Sequence, residues 1–239
     1  MKLHYTIIGI CLLFLTGLST VKAQDTFLPG YVILNDGTKI GGSISLYENA
    51  PWLNQRFIWL KDSTAVAKPK KYKVGDIKSY QVGDRSFEKV HYVDMENIQF
   101  KTLGANDHMM ERLSSGKINS FKFYSYPEEI EVYVGLSSAE VAERTQQKKG
   151  ELLRGYKILS SKDDDKLRNA FDYDLQKYFK DTPAILEKYK KGEYGNEPIV
   201  KMGLAAKMIS MARKAAFKPK EADAIVMAFN DYNNVNLAK

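Results

Sequence analysis

The chain has 239 residues, 36 Lys and Arg against 29 Asp and Glu, and a single cysteine. That length supports one larger domain or two small ones, with a core that needs no disulfides. The formal charge of +7 is interleaved with acids along most of the chain, unlike the basic stripe of a nucleic-acid-binding domain, so no nucleic-acid partner is predicted.

The first element in chain order is a leader. Lys2 gives a basic start, an apolar stretch runs from about Ile7 to Leu18, and Val21-Lys22-Ala23 forms a small-residue exit. This is the pattern of a cleavable secretory signal peptide over residues 1–23, with the mature chain starting at Gln24. The apolar stretch is shorter than the roughly 20 residues that span a bilayer, so no transmembrane span is expected after cleavage. Cys11 follows Ile10 rather than a small residue and is read as part of the leader. The mature chain then holds no cysteine, which excludes thiolate metal sites, redox pairs and cysteine nucleophiles. Loss of Lys2 and Lys22, the leader's two charged residues, lowers the formal charge from +7 to +5.

Strand signals follow. Tyr31 to Leu34 and Thr38 to Leu46 flank Asn35-Asp36-Gly37, which predicts a hairpin with a tight two-residue turn. Gly41-Gly42 in the return strand predicts a bulge or a close backbone approach. Phe57 to Leu60 is a further strand, and the basic stretch Lys68, Lys70, Lys71 and Lys73 is read as a solvated loop or hairpin end. Val74 to Val82 and Ser86 to Val93, joined by Gly83-Asp84, predict a second hairpin. Met109 to Leu113, Ile98 to Leu103, Ile118 to Tyr126 and Val132 to Val134 complete the strand series.

The period changes after Leu136. Ser137 and Glu140 form a capping box opening a helix to about Gln147. Spacings of three and four from Leu167 to Phe179 predict an amphipathic helix with Asp163, Asp164 and Asp165 at its N-terminus. Pro183 opens another that stops at Gly192; Glu197-Pro198 opens a third, whose wide apolar surface predicts that Met208 or Met211 is buried and Leu204 lies in a packed contact; Pro219 opens a fourth. The fold class is therefore α+β: an N-terminal antiparallel β-sandwich or small open barrel over residues 24–135, then a helical region of about four helices over 136–239, packed on the β domain. The segment 150–160 is left unassigned.

Chemistry is sparse in the letters. Beyond the leader only His91 and His108 remain, and His108 beside Asp107 is more readily explained by a surface turn than by an acid–base pair. No nucleophile elbow, zinc helix or phosphate-binding loop is present, and 29 Asp and Glu give too many carboxylate pairs to rank for glycoside hydrolysis. The clusters Asp163 to Asp165 and Asn230 to Asn234 lack the calcium-loop pattern and are read as helix-terminal charge and as a polar C-terminal fray. No metal or cofactor is predicted. In Phe121 to Tyr126 the phenylalanines share one strand face and the tyrosines the other, which makes Tyr124 and Tyr126 binding candidates. Trp52, in a Pro-containing loop, is the candidate exposed contact residue.

Three segments carry a resemblance. The hairpin from Gly30 to Gly42, the turn Leu113-Ser114-Ser115-Gly116-Lys117 leading to Phe123-Tyr124-Ser125-Tyr126, and Tyr178-Phe179-Lys180-Asp181-Thr182-Pro183 together resemble a large group of uncharacterised exported proteins of Gram-negative bacteria. The resemblance implies a signal peptide and a β-then-α order, and no activity. The leading expectation is a non-catalytic exported binding protein, periplasmic or extracellular and open to outer-membrane association, whose partner is an envelope protein or glycan. The alternative is a hydrolase acting on an envelope polymer or glycan.

Overall fold

A computed structural model describes residues 27–63, 68–94, 106–127, 135–163, 165–170, 175–198 and 219–237. The predicted leader, the strands at 98–103 and 132–134, and the third C-terminal helix with Leu204, Met208 and Met211 lie outside these residues.

The strands are β1 (Phe27–Leu34), β2 (Lys39–Ser45), β3 (Phe57–Asp62), β4 (Lys70–Lys73), β5 (Ile77–Val82), β6 (Arg85–His91), β7 (Asp107–Ser114), β8 (Ile118–Phe123), β9 (Lys157–Lys162) and β10 (Arg168–Asn169). The helices are α1 (Pro51–Asn54), α2 (Ser138–Arg154), α3 (Leu175–Tyr178), α4 (Pro183–Lys191) and α5 (Pro219–Leu237). All ten strands join one open antiparallel sheet in the order β10-β9-β8-β7-β6-β5-β1-β2-β3-β4. The class is thus α+β, with β4 and β10 at the two edges.

The sheet curls, and the chain forces it to. Between β4 and β5 lie β1, β2 and β3, a flat-sheet separation of four strand spacings, roughly 19 Å. Only residues 74–76 connect β4 to β5, and four Cα steps reach about 15 Å at full stretch. That linker is itself a tight turn, with the Asp76 N–H donating to the Lys73 carbonyl at 2.9 Å. The curled half closes over Val32, Ile44, Ile58, Tyr80, Phe87 and Met109, all buried. On β8 and β9 the same sheet face receives the helices: Ile118 and Ile158 share a core with Ile185, Ile225, Phe229 and Tyr232. The opposite face buries Val90, Met110, Phe121, Phe123 and Leu159.

Local chemistry explains the turns. The first hairpin closes with three residues rather than two: Leu34 donates its N–H to Thr38, Gly37 donates to Leu34, and Gly37 takes φ +88°, the three-residue form that ends in a left-handed residue. Asp36 accepts from the Thr38 N–H at 2.8 Å, which favours this longer loop. Gly83-Asp84 does close a two-residue turn, with Val82 opposite Arg85. At Gly42 a Cβ would press into the Lys61 carbonyl of β3, whereas at Gly41 nothing lies within 4 Å; the close approach belongs to Gly42 alone. The basic stretch forms edge strand β4, with Lys70, Lys71 and Lys73 exposed. Charged edges of this kind oppose edge-to-edge pairing.

The capping box of Ser137 and Glu140 is present, and α2 runs on to Arg154. Beyond it, β9 and the short β10 extend the sheet into the C-terminal part of the chain. The helix predicted from Leu167 to Phe179 is not formed as one: Arg168–Asn169 pairs with β9, and the described helix is only Leu175–Tyr178. Tyr178 and Phe179 are nonetheless buried; apolar spacing recorded their burial, while the β9 edge captured the backbone upstream. Helix α4 starts with Pro183 and stops at Gly192, which has φ +79°, as helix punctuation predicts.

Candidate functional site

One row of cross-strand neighbours links the two inner cores. Tyr80 lies opposite Phe87, Phe87 opposite Glu111, Glu111 opposite Lys122, and Lys122 opposite Ile158. Directly opposed residues share a face, so the row passes from the curled core through two charged side chains to the helix-covered core. Arg85, two residues before Phe87, joins them on the same face.

Around this polar interruption the sheet opens into a cleft of about 360 Å³. Arg85, Glu111 and Lys122 lie at its base, Tyr124 stands at the end of β8, and the segment between β2 and β3 forms the far wall through Tyr47, Pro51 and Asn54. A smaller cleft of about 230 Å³ lies on the α5 side, with Tyr156, Asp223 and Val226 in its wall, and Lys122 borders both.

The electrostatics of the base are specific. Arg85 donates to Glu111 through Nε at 2.8 Å and Nη2 at 2.7 Å, a two-pronged pair in which the Glu111 side chain is 15% exposed. That bond holds the Arg85 guanidinium protonated even more firmly than usual. Lys122 carries its Nζ 4.0 Å from the Tyr156 ring centre and 5.5 Å from that of Tyr124. Burial lowers its pKa, opposed by the charges of Glu111 and Asp223 and reinforced by that of Arg85. Burial pushes the Tyr124 hydroxyl up to about 12, with Glu111 adding to it, and the Tyr156 hydroxyl to about 12, with Asp223 adding. Both phenols therefore stay protonated across the neutral range.

The far wall is fastened to the sheet. Gln55 donates Nε2–H to the Tyr124 carbonyl at 2.8 Å and accepts from the Tyr124 N–H at 2.6 Å, pairing with a backbone 69 residues away as a neighbouring strand would. The Gln55 carbonyl accepts from the Met109 N–H at 2.9 Å. Asn54 ties Tyr47 N–H at 2.7 Å to the Ser45 carbonyl at 3.2 Å.

Of the residues nominated from sequence, Tyr124 borders the cleft and Tyr126 does not share its face. β8 ends at Phe123, so strict alternation ceases and Tyr126 turns onto the core that holds Phe123. There its hydroxyl donates to His108 Nδ1 at 3.0 Å. The direction follows because His108 Nε2 faces the Tyr92 carbonyl at 3.1 Å, which can only accept. Burial lowers the His108 pKa to about 4, making it a neutral structural histidine. His108 sits in β7, not in a turn, and adjacent Asp107 points to the other face, where it pairs with His91 at 2.9 Å in an exposed position.

Trp52 is 8% exposed: Pro51 starts a single turn of helix that turns the indole inward, so it offers no exposed ring. The acidic and amide clusters also find structural uses. Asp163 and Asp165 follow β9 in a turn. Asp231 accepts from Tyr194 at 2.5 Å and Lys188 at 2.9 Å, and Asn233 is buried in α5 rather than frayed. Among the described residues no group of three His, Cys, Asp or Glu is placed to hold a metal ion, and no helix is long and apolar enough to cross a membrane.

The residues missed from sequence are Arg85, Glu111, Lys122, Gln55 and Tyr156. The signal for Lys122 was present, since it occupies the tyrosine-side position between Phe121 and Phe123. Nothing in the letters joins Arg85 to Glu111, which only the β6–β7 pairing brings together. No known protein family, curated protein or solved structure matches this chain.

Proposed function

We propose that this is an exported, non-catalytic binding protein and that the cleft over Arg85, Glu111 and Lys122 takes a polar ligand with a flat apolar face, such as a sugar ring of an envelope glycan. The observation that carries the reading is the charged interruption in an otherwise apolar sheet face, opening into a tyrosine-walled cleft. A volume of about 360 Å³ lies within the range of small-ligand sites, about 300–1,000 Å³. Both Glu111 oxygens accept from Arg85, which favours a fixed recognition element over a carboxylate free to take a proton. Gln55 and Asn54 hold the wall in place before any ligand arrives, as preorganised binding requires. In this reading the curled β1–β5 half is a small open barrel carrying the cleft on its rim, and the resemblance to exported envelope proteins agrees with the predicted leader.

The test is a titration of the ¹⁵N-labelled protein with neutral and acidic monosaccharides and oligosaccharides. Amide shifts are expected to cluster on residues 47–55 and at Arg85 and Tyr124. Steady release of reducing ends from an oligosaccharide, abolished by Glu111→Gln, would replace binding by hydrolysis.

A further inference from the structure

The hydrogen-bonding groups at the cleft are unevenly spent, and what remains has a definite chemical sense. On the acceptor side, both Glu111 oxygens are engaged by Arg85, the Gln55 amide oxygen accepts from the Tyr124 N–H, and the Asn54 amide oxygen accepts from the Tyr47 N–H, which leaves the exposed Glu48 carboxylate on the lip away from the base. On the donor side, Arg85 Nη1 carries no hydrogen bond among the described residues, nor does the Tyr124 hydroxyl. Lys122 is the largest surplus: its ammonium has three donors, and among the described residues it meets the rings of Tyr156 and Tyr124 and no carboxylate.

We infer that Lys122 is the anion-recognising residue of the cleft and that the ligand is a sugar acid, its carboxylate on Lys122 Nζ and its ring face against Tyr124. This rests on the reading of the cleft as a binding site and narrows it to one ligand class. The half-buried ammonium feels Glu111 and Asp223 only at a distance and makes no ion pair among the described residues. Such a state is costly to hold, and ring faces repay only part of that cost. An incoming carboxylate supplies the missing partner. Burial and the neighbouring Arg85 lower the amine's pKa against the opposing pull of Glu111 and Asp223, and seating an anion there raises it.

The local charges disfavour a dianion. Arg85 and Lys122 stand against Glu111 and, on the lip, Glu48, with Asp223 on the far side of Lys122, so no net positive charge is left to hold a phosphate dianion. A single carboxylate, reaching Lys122 alone, meets less of this repulsion. The ring requirement comes from the walls. Tyr124 and Tyr156 flank Lys122 with their ring centres 5.7 Å apart, and Tyr47 on the opposite wall is braced edge-on by Phe57 at 5.8 Å. Such faces suit the C–H surface of a pyranose, while the Tyr124 hydroxyl and Arg85 Nη1 remain to donate to its oxygens.

Binding of glucuronate, glucose and acetate to the purified protein is compared by calorimetry and by amide shifts, in the wild type and in Lys122→Met and Lys122→Arg. The wild type is expected to bind glucuronate at least tenfold more tightly than either glucose or acetate. Lys122→Met should remove that preference, and Lys122→Arg should recover part of it. Should Lys122→Met fail to fold, the Lys122 Cε resonance of the wild type serves instead: its titration midpoint is expected to rise with glucuronate and stay put with glucose. Equal binding of glucose and glucuronate overturns the assignment of Lys122 and leaves the cleft a binding site. Equal binding of acetate and glucuronate overturns the sugar requirement. Absence of any shift at the cleft with all three probes overturns the inference together with the reading it rests on.

Discussion

Asn233 on the last helix holds both backbone groups of Ile118 on β8: its Oδ1 accepts from the Ile118 N–H at 2.9 Å and its Nδ2 donates to the Ile118 carbonyl at 2.7 Å. The two residues are 115 positions apart, and Asn233 is 2% exposed. A side-chain amide here does the work of a neighbouring strand, so the helix is bonded to the sheet as well as packed on it. Asn233→Ala strands the buried Ile118 N–H and leaves the carbonyl to the Ser114 hydroxyl, its other donor at 3.0 Å, at an expected cost of about 1–3 kcal/mol. Thermal unfolding followed at helix and strand wavelengths should show both signals moving together to lower temperature. Early loss of the helical signal with an unshifted strand transition would refute the coupling.

Phe229 stands at the centre of the same junction, its ring tilted against those of Tyr178 at 5.1 Å and Phe179 at 6.0 Å and fully buried. Phe229→Ala is expected to cost about 3–5 kcal/mol. Denaturant unfolding that shows less than about 1 kcal/mol of loss, the level of an ordinary surface change, would contradict a packed aromatic core between α5 and the sheet.

His108 makes stability depend on acidity. Its folded pKa of about 4 lies below the ordinary histidine value of 6.5, so the unfolded chain binds the extra proton first. The stabilisation is complete above pH 6.5, declines as pH falls through the window from 6.5 to 4, and is lost below it. The shift corresponds to about 3 kcal/mol. Denaturant midpoints measured across this window should fall more steeply in the wild type than in His108→Gln; parallel curves would show that His108 is not held neutral.

The paired glycines of β2 offer an internal control. Gly42→Ala pushes a methyl into the Lys61 carbonyl and is expected to cost about 1–3 kcal/mol, the range of overpacking. Gly41→Ala meets open space and should be neutral or slightly stabilising, since it lowers the entropy of the unfolded chain. Equal effects at the two sites would mean that the β2–β3 approach is looser than described.

Export is tested at the chain's beginning. The protein recovered from an envelope or medium fraction should start at Gln24 by mass spectrometry, as the exit Val21-Lys22-Ala23 predicts. Recovery solely of full-length chain in the cytoplasm would sink the prediction.

Local signals were legible in proportion to how local their physics is. Ser137 with Glu140, Pro183 with Gly192, and Gly83-Asp84 mark a cap, a helix and a turn within a few residues of sequence, and each is found where its chemistry placed it. The α+β class followed from the change of period after Leu136. Alternation put Phe121 and Phe123 on one face, which the structure buries, but failed for Tyr126, because the strand ends at Phe123. Periodicity marked Tyr178 and Phe179 as buried and misjudged the backbone that carries them, because β9 offered Arg168 and Asn169 a strand partner.

By itself, then, the sequence determined the strand series through Phe123, many of the apolar positions and the helix punctuation, all of which rest on interactions between near neighbours. The tertiary structure alone decided that Trp52 is covered, that His108 is a buried neutral group, and that Arg85, Glu111 and Lys122 meet in one cleft. Those outcomes depend on strand order and register: a one-residue slip of β7 would send Glu111 to the opposite face and break the row. Register is set jointly by the hairpin turns, the curl imposed between β4 and β5, and the distant clamps of Gln55 and Asn233, so no window of sequence contains it.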